Sequence, residues 1–158
     1  VLARLPKARI VGFEPDEANA DMHERTIRAN GAGTHWRLVR AAAATRDGAV
    51  AFSDEGFTTG HVGGGNRVVP AADVFPFLDS ADLLKIDIEG AEWELLADPR
   101  FGSMPAQVVA LEYHPHLCPS DDPRALAHEL LRGAGYETVD HELVGPPGQG
   151  MVWAWKSR

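Results

Sequence analysis

The order of segments constrains this chain most: short apolar runs alternate with stretches that open on a helix-capping residue and close on glycine or proline. Residues 9–13 are apolar apart from Arg9 and Gly12 and stop at Glu14-Pro15, too short for a helix and suited to a buried strand. Asp16 then offers a carboxylate cap, and the spacing predicts a helix over about residues 17–30 that stops at Gly31. Its apolar positions, Ala18, Ala20, Met22, Ile27 and Ala29, make no single clean stripe, so the caps define it more than periodicity does. Residues 36–43 form a second apolar stretch, and Thr45-Arg46-Asp47-Gly48 is a turn into a strand over 49–53. Glycines 56, 60, 63, 64 and 65 mark 54–66 as a loop. A short helix is expected over 73–78, a buried strand over 83–88, a helix over 91–97 ended by Asp98-Pro99, and a strand over 107–113. Asp122 caps one more helix, with Pro123 at a position that needs no N–H, Leu126, Leu130 and Leu131 on its buried side, and Gly133 or Gly135 at its end. Strands over 136–144 and 151–156 flank the loop GPPGQG and read as a closing hairpin. Such alternation predicts an α/β fold: a mostly parallel sheet with helices on both faces and an antiparallel last strand.

With 158 residues, 44% of them hydrophobic, the chain has the size and apolar content of one globular domain spanning 1–158. Lys and Arg number 15 against 23 Asp and Glu, a formal net charge of -8 with no basic run, which argues against nucleic acid or an anionic membrane as partner. The single Cys118 excludes an internal disulfide framework and a cysteine-type zinc site, so a reducing, cytoplasmic setting is the expectation. No run approaches the roughly 18 apolar residues of a spanning helix. The first ten residues carry Arg4, Pro6, Lys7 and Arg9 rather than the apolar core of a secretory signal.

Ligands of open parallel sheets gather at the carboxyl ends of the strands, and three predicted strands end in titratable groups: Glu14, then Asp87 with Glu89, then Glu112 with His114. A carboxylate at the first of these places can accept hydrogen bonds from both hydroxyls of a ribose; it can equally cap the helix that follows. His61 lies in a glycine-rich stretch, TTGHVGGGN, but without a strand running straight into a helix and a Lys-Ser/Thr ending it is no phosphate loop. A substrate-facing loop is the better reading. Trp36, Trp93, Trp153 and Trp155 are expected to pack in the core or along its rim, the last two on one face of the final strand.

Four blocks, IVGFEP (10–15), RAAAATRDG (40–48), LLKIDIEGAEWELL (83–96) and VVALEYH (108–114), in this order and spacing, resemble the FkbM family of S-adenosylmethionine-dependent methyltransferases. The resemblance spans about residues 10–155, and KIDIEGAE is its most diagnostic part. It implies a Rossmann-like class I methyltransferase sheet with the last strand antiparallel between its neighbours. It implies S-adenosyl-L-methionine as cofactor, with Glu14 on the adenosyl ribose, Ala41 and Ala42 leaving room for the adenine, and Asp87 where cofactor and acceptor meet. Arg40 departs from the acidic or amide group that many relatives of this fold carry nearby, which leaves adenine recognition to backbone groups.

Transfer of a methyl to oxygen needs a positioned acceptor and a base for its proton, and His114 followed by Glu89 are the candidates, imidazole first because it titrates near neutral pH. Asp87, Glu89, Glu112, His114 and His116 could also bind a hard divalent ion, but their spacing is no metal signature, so no metal is expected.

The fold's glycine-rich cofactor turn should lie about 20 residues before the ribose acid, yet only 13 residues precede Glu14 and residues 1–7 contain no glycine. Residues 1–5 read instead as the tail of a first helix. The expectation is therefore a sheet lacking its first strand, with an exposed edge through which copies could associate. Two functions are open at this point: methylation of a hydroxyl on a small metabolite, sugar or lipid-linked glycan, or a non-catalytic remnant serving as a binding module. A nicotinamide oxidoreductase would share the ribose acid but has no use for KIDIEGAE.

Overall fold

The computed structural model describes residues 4–53, 61–62, 65, 67–141 and 146–157. Strand β1 (Ile10–Phe13) passes through Glu14 to helix α1 (Glu17–Ala29), followed by β2 (Trp36–Val39) and β3 (Ala42–Ala44). Next come β4 (Gly48–Ser53), β5 (His61–Val62), β6 (Arg67–Asp73) and the one-turn helix α2 (Phe75–Leu78). The remainder is β7 (Leu83–Ile86), α3 (Glu92–Ala97), β8 (Val108–Tyr113), α4 (Pro123–Gly133), β9 (Glu137–His141) and β10 (Gly150–Trp155). Both predicted caps form: Asp16 Oδ1 accepts from the Asn19 N–H at 3.0 Å, and Asp122 Oδ1 from that of Ala125 at 2.9 Å. Gly31, at φ +60°, takes the left-handed turn that ends α1.

The strands form three hydrogen-bonded groups rather than one sheet. β1 pairs in parallel with β2; β7, β8, β10 and β9 lie in that order, with β7 and β8 parallel and β10 antiparallel to both its neighbours; β3, β6, β4 and β5 make a mixed group. The antiparallel last strand is as expected. The single sheet is corrected on two points. The apolar stretch 36–43 breaks at Arg40-Ala41, and its second half leaves to pair with β6. β6 itself was not predicted, because Pro70, which cannot donate to a ladder, sits in its middle opposite Ala49. Among the described residues β1 pairs only with β2 and β7 only with β8, so each keeps one edge without a strand partner, with Val11 and Leu83 exposed beside it. Predictions resting on residues 1–3, most of the 54–66 loop and 142–145 lie outside the described residues.

β8 runs through the centre of the core. Val109 and Leu111 are fully buried, as are Val152 and Ala154 on β10 and Ala127 and Leu131 on α4. Phe101 fills the space beside them, and the Tyr136 hydroxyl donates to the Ala106 carbonyl at 2.8 Å, so its one polar atom is satisfied. Ala42, Phe52 and Val69 form a second, small cluster within the mixed group. Trp93 is buried, whereas Trp153 and Trp155 stand exposed on one face of β10. No helix among the described residues is long and apolar enough to cross a membrane.

Candidate functional site

The parallel register of β7 on β8, with Ile86 opposite Leu111, delivers the residues after each strand to one rim. Asp87, Glu112 and His114 there each place a ligand-type atom within 4.8 Å of the others. After Asp87 the chain turns sharply, with Glu89 at φ +53° and Gly90 at φ +102°. A Cβ on Gly90 would stand 2.8 Å from the His116 ring and 2.9 Å from its carbonyl oxygen, so only glycine lets the turn pass beneath residue 116. Glu89, a non-glycine residue in the left-handed region, is held there with its carboxylate 3.5 Å from His114 Nε2.

Glu92, at the start of α3, is fully buried and gathers two backbone N–H groups and the His114 ring. Its Oε2 accepts from the Gly90 amide at 2.7 Å, its Oε1 from the His114 amide at 2.7 Å, and the same oxygen faces His114 Nδ1 at 3.2 Å. The Trp93 indole N–H donates to the carbonyls of His114 at 3.1 Å and His116 at 3.2 Å, tying the end of β8 to α3. From the loop before β10, Gln149 Nε2 donates to Glu112 Oε1 at 2.8 Å and lies 3.3 Å from His114 Nε2.

The crowding of carboxylates shows in their titration. Burial pushes Glu89 above the usual carboxylate range, helped by the charges of Asp87, Glu92 and Glu112 and opposed by His114. For His114, burial pulls the imidazole down, but the hydrogen bond and charge of Glu92, with Glu89 and Asp87, outweigh it and hold the ring above its ordinary value. A buried imidazole braced on a carboxylate can accept and return a proton. Asp87, Glu112 and His114 could together hold a hard cation. In this structure positive or donor groups already meet both acids: the Lys85 ammonium at 2.6 Å from Asp87, and the Gln149 amide on Glu112.

Glu14, Ala41 and Ala42 form a second group at the ends of β1 and β2. The Glu14 amide donates to the Val39 carbonyl at 3.0 Å, which places the acid beside the end of β2, and its Oε1 accepts from the Asp16 amide at 2.8 Å. Burial raises the Glu14 carboxyl, against the lowering effect of that backbone bond. Ala41 and Ala42 are buried, and Arg40 turns to α1, where it pairs with Asp21 at 2.6 Å and Glu24 at 3.0 Å. The charged neighbours that act on Glu14 are His23 and Asp16, not the rim acids around His114. The structure thus brings Asp87, Glu89, Glu112 and His114 together at the ends of β7 and β8, while Glu14, Ala41 and Ala42 sit at the ends of β1 and β2. Sequence reasoning missed Glu92 and Gln149. Glu92 did leave a signal: it precedes Leu95 and Leu96 by three and four residues, which puts an acid on the buried face of its helix.

No protein-family model matches the sequence, and no curated protein matches it. Among solved structures, the crystal structure of the methyltransferase FkbM from Methylobacillus flagellatus KT matches 93% of this chain with a TM-score of 0.65 at 16% sequence identity. The match spans 36% of that protein's chain. It shows a shared mixed α/β, methyltransferase-like fold.

Proposed function

We propose that this chain is an S-adenosylmethionine-dependent methyltransferase domain whose acceptor is a hydroxyl of a small metabolite, sugar or lipid-linked glycan. The observation that carries the reading is the braced imidazole of His114 among Asp87, Glu89 and Glu112 at the ends of β7 and β8, in a fold shared with a methyltransferase. The strand order is compatible with this reading: β2–β1 and β7–β8–β10–β9, the latter with an antiparallel β10 between its neighbours, have the order that the two flanks of a Rossmann-like class I sheet would have.

The residues present fit the adenosyl end of the cofactor. Glu14 Oε1 is engaged by the Asp16 amide, while Oε2 has no hydrogen-bond partner among the described residues and can accept from a ribose hydroxyl. Ala41 and Ala42 offer small side chains where a flat ring would lie. When bound, S-adenosylmethionine supplies a sulfonium methyl. With the cofactor held at its adenosyl end by Glu14, Ala41 and Ala42, its sulfonium would supply the methyl to the acceptor oxygen, and His114 would take the proton that this hydroxyl gives up. Glu92 and Glu89 stabilise the imidazolium that results.

Calorimetric titration with S-adenosylmethionine and S-adenosylhomocysteine tests this. Binding is expected, and Glu14→Gln should weaken it by roughly 10–100-fold, the worth of a hydrogen bond to a charged group. Unchanged affinity in that variant would remove Glu14 from the ribose, and no binding by the unaltered protein would leave the non-catalytic binding module as the better account.

A further inference from the structure

Two hydrogen-bonding groups meet the ring nitrogens of His114, Glu92 at Nδ1 and Gln149 at Nε2, with the Glu89 carboxylate farther off at 3.5 Å from Nε2, and the chemistry of the two hydrogen-bonding partners fixes where the proton of the neutral ring sits. Nδ1 faces Glu92 Oε1 at 3.2 Å, and a buried carboxylate that already accepts from the Gly90 and His114 amides can only accept again. Nδ1 must therefore carry the hydrogen. On the other side of the ring Gln149 presents its amide nitrogen 3.3 Å from Nε2, with the same nitrogen donating to Glu112 Oε1 at 2.8 Å. An amide NH2 with one hydrogen on Glu112 has its second for a lone pair, so Nε2 in the neutral ring is the acceptor. Both observations give the same tautomer independently.

The geometry points to Glu92 as the positioning residue of this site: it locks His114 in the Nδ1–H tautomer and aims the Nε2 lone pair at the rim, where the acceptor hydroxyl displaces the Gln149 amide. Glu92 touches neither substrate nor cofactor. It acts through His114, holding the ring by its own backbone amide and its Nδ1, while Trp93, the next residue of α3, fixes the carbonyl of the same histidine. The groups that face the ring from each packed element are Glu92 on α3, Asp87 and Glu89 after β7, Glu112 on β8 and Gln149 before β10. All but Gln149 are acids, which makes the tautomer matter. Were Nε2 the protonated atom of the neutral ring, the base would present a hydrogen to the acceptor instead of a lone pair. The inference rests on the methyltransferase reading only for the identity of the group that gives up the proton.

Long-range proton–nitrogen NMR correlation spectra of the unaltered protein, above the pKa of His114, read the tautomer without any variant; a protonated Nδ1 and bare Nε2 are expected. In Glu92→Gln the His114 titration should move down, the rising limb of the pH–rate profile should move with it, and kcat should fall roughly 10–100-fold with the cofactor KM unchanged, the scale on which a carboxylate behind a functional histidine acts. A neutral Nε2–H tautomer in the unaltered protein overturns the inference. So does a His114 titration that Glu92→Gln leaves in place. Because the NMR readings need no turnover, a failure to bind cofactor would count against the methyltransferase reading alone.

Discussion

The pairs His114–Glu92 and His128–Asp140 differ in what closes the second ring nitrogen of the histidine. His128, on α4, has both nitrogens committed: Nδ1 lies 2.8 Å from the Thr138 hydroxyl and Nε2 2.9 Å from Asp140 Oδ1. Asp140 is in turn neutralised by Arg124, on the exposed outer face of α4 and β9, and its carboxyl is held far below the usual carboxylate range by the hydrogen bonds of Arg124 and His128. Both ring nitrogens of His128 are thereby closed by residues of the chain itself. His114 has one nitrogen committed to a fully buried acid and the other turned to a rim of carboxylates and a replaceable amide. Similar residues make a surface clasp in one place and the proposed proton acceptor in the other, and the difference lies in the counter-charge: an arginine for Asp140, none of the described partners of Glu92 being a permanent cation.

Breaking the contrast at its widest, His114→Ala should lower methyl transfer by about 10²–10⁴-fold, the range of a lost general base, while His128→Ala leaves the rate within about two-fold because its network closes on itself. A turnover assay on the two variants decides; equal losses would erase the distinction. Next in size is stability. Glu92→Ala strands two backbone N–H groups and the His114 ring in the core and should cost about 3–5 kcal/mol in urea unfolding, whereas Asp140→Ala, on a solvent-screened pair, should cost no more than about 1 kcal/mol.

The smallest effect is in pH, and the two pairs should fail at opposite ends. His114 is raised in the folded state by the surrounding acids, against burial, so its contribution is complete below the ordinary imidazole range and is lost as pH rises through the raised value. Asp140 is lowered, so its contribution is present above the ordinary carboxylate range and is lost as pH falls through the lowered value. In urea midpoints, the gap between unaltered protein and His114→Gln should close on the alkaline side, and the gap for Asp140→Asn on the acid side. Both gaps closing on the same side would show that one of the two pairs is misread.

Elements with chemical punctuation were legible in the sequence. Asp16 and Asp122 cap α1 and α4 as their positions foretold, and β7 and β8 follow from their apolar runs. The rim acids were found because strand ends collect ligands, and the parallel register of β7 on β8 does bring Asp87, Glu112 and His114 together. β6 was hidden by Pro70, and the division of the strands into three groups depends on pairing partners that no local pattern encodes. Glu92 escaped because an acid in the first turn of a helix normally serves the helix dipole and faces water. Only the neighbouring Leu95 and Leu96 hint that it points inward. Gln149 arrives from a loop far along the chain, and distance of that kind leaves no trace in spacing.

The end of β8 carries His114, and β8 has a strand partner on each side, with Val109 and Leu111 sealed from solvent. The backbone that carries the ring follows directly on a strand set in the core, so it is expected to open with the core rather than with a loop. The segments around it, 115–122 and 146–149, lie outside the helices and strands. In the function proposed above, acceptor preference can change with those segments while the proposed proton-accepting atom stays where it is.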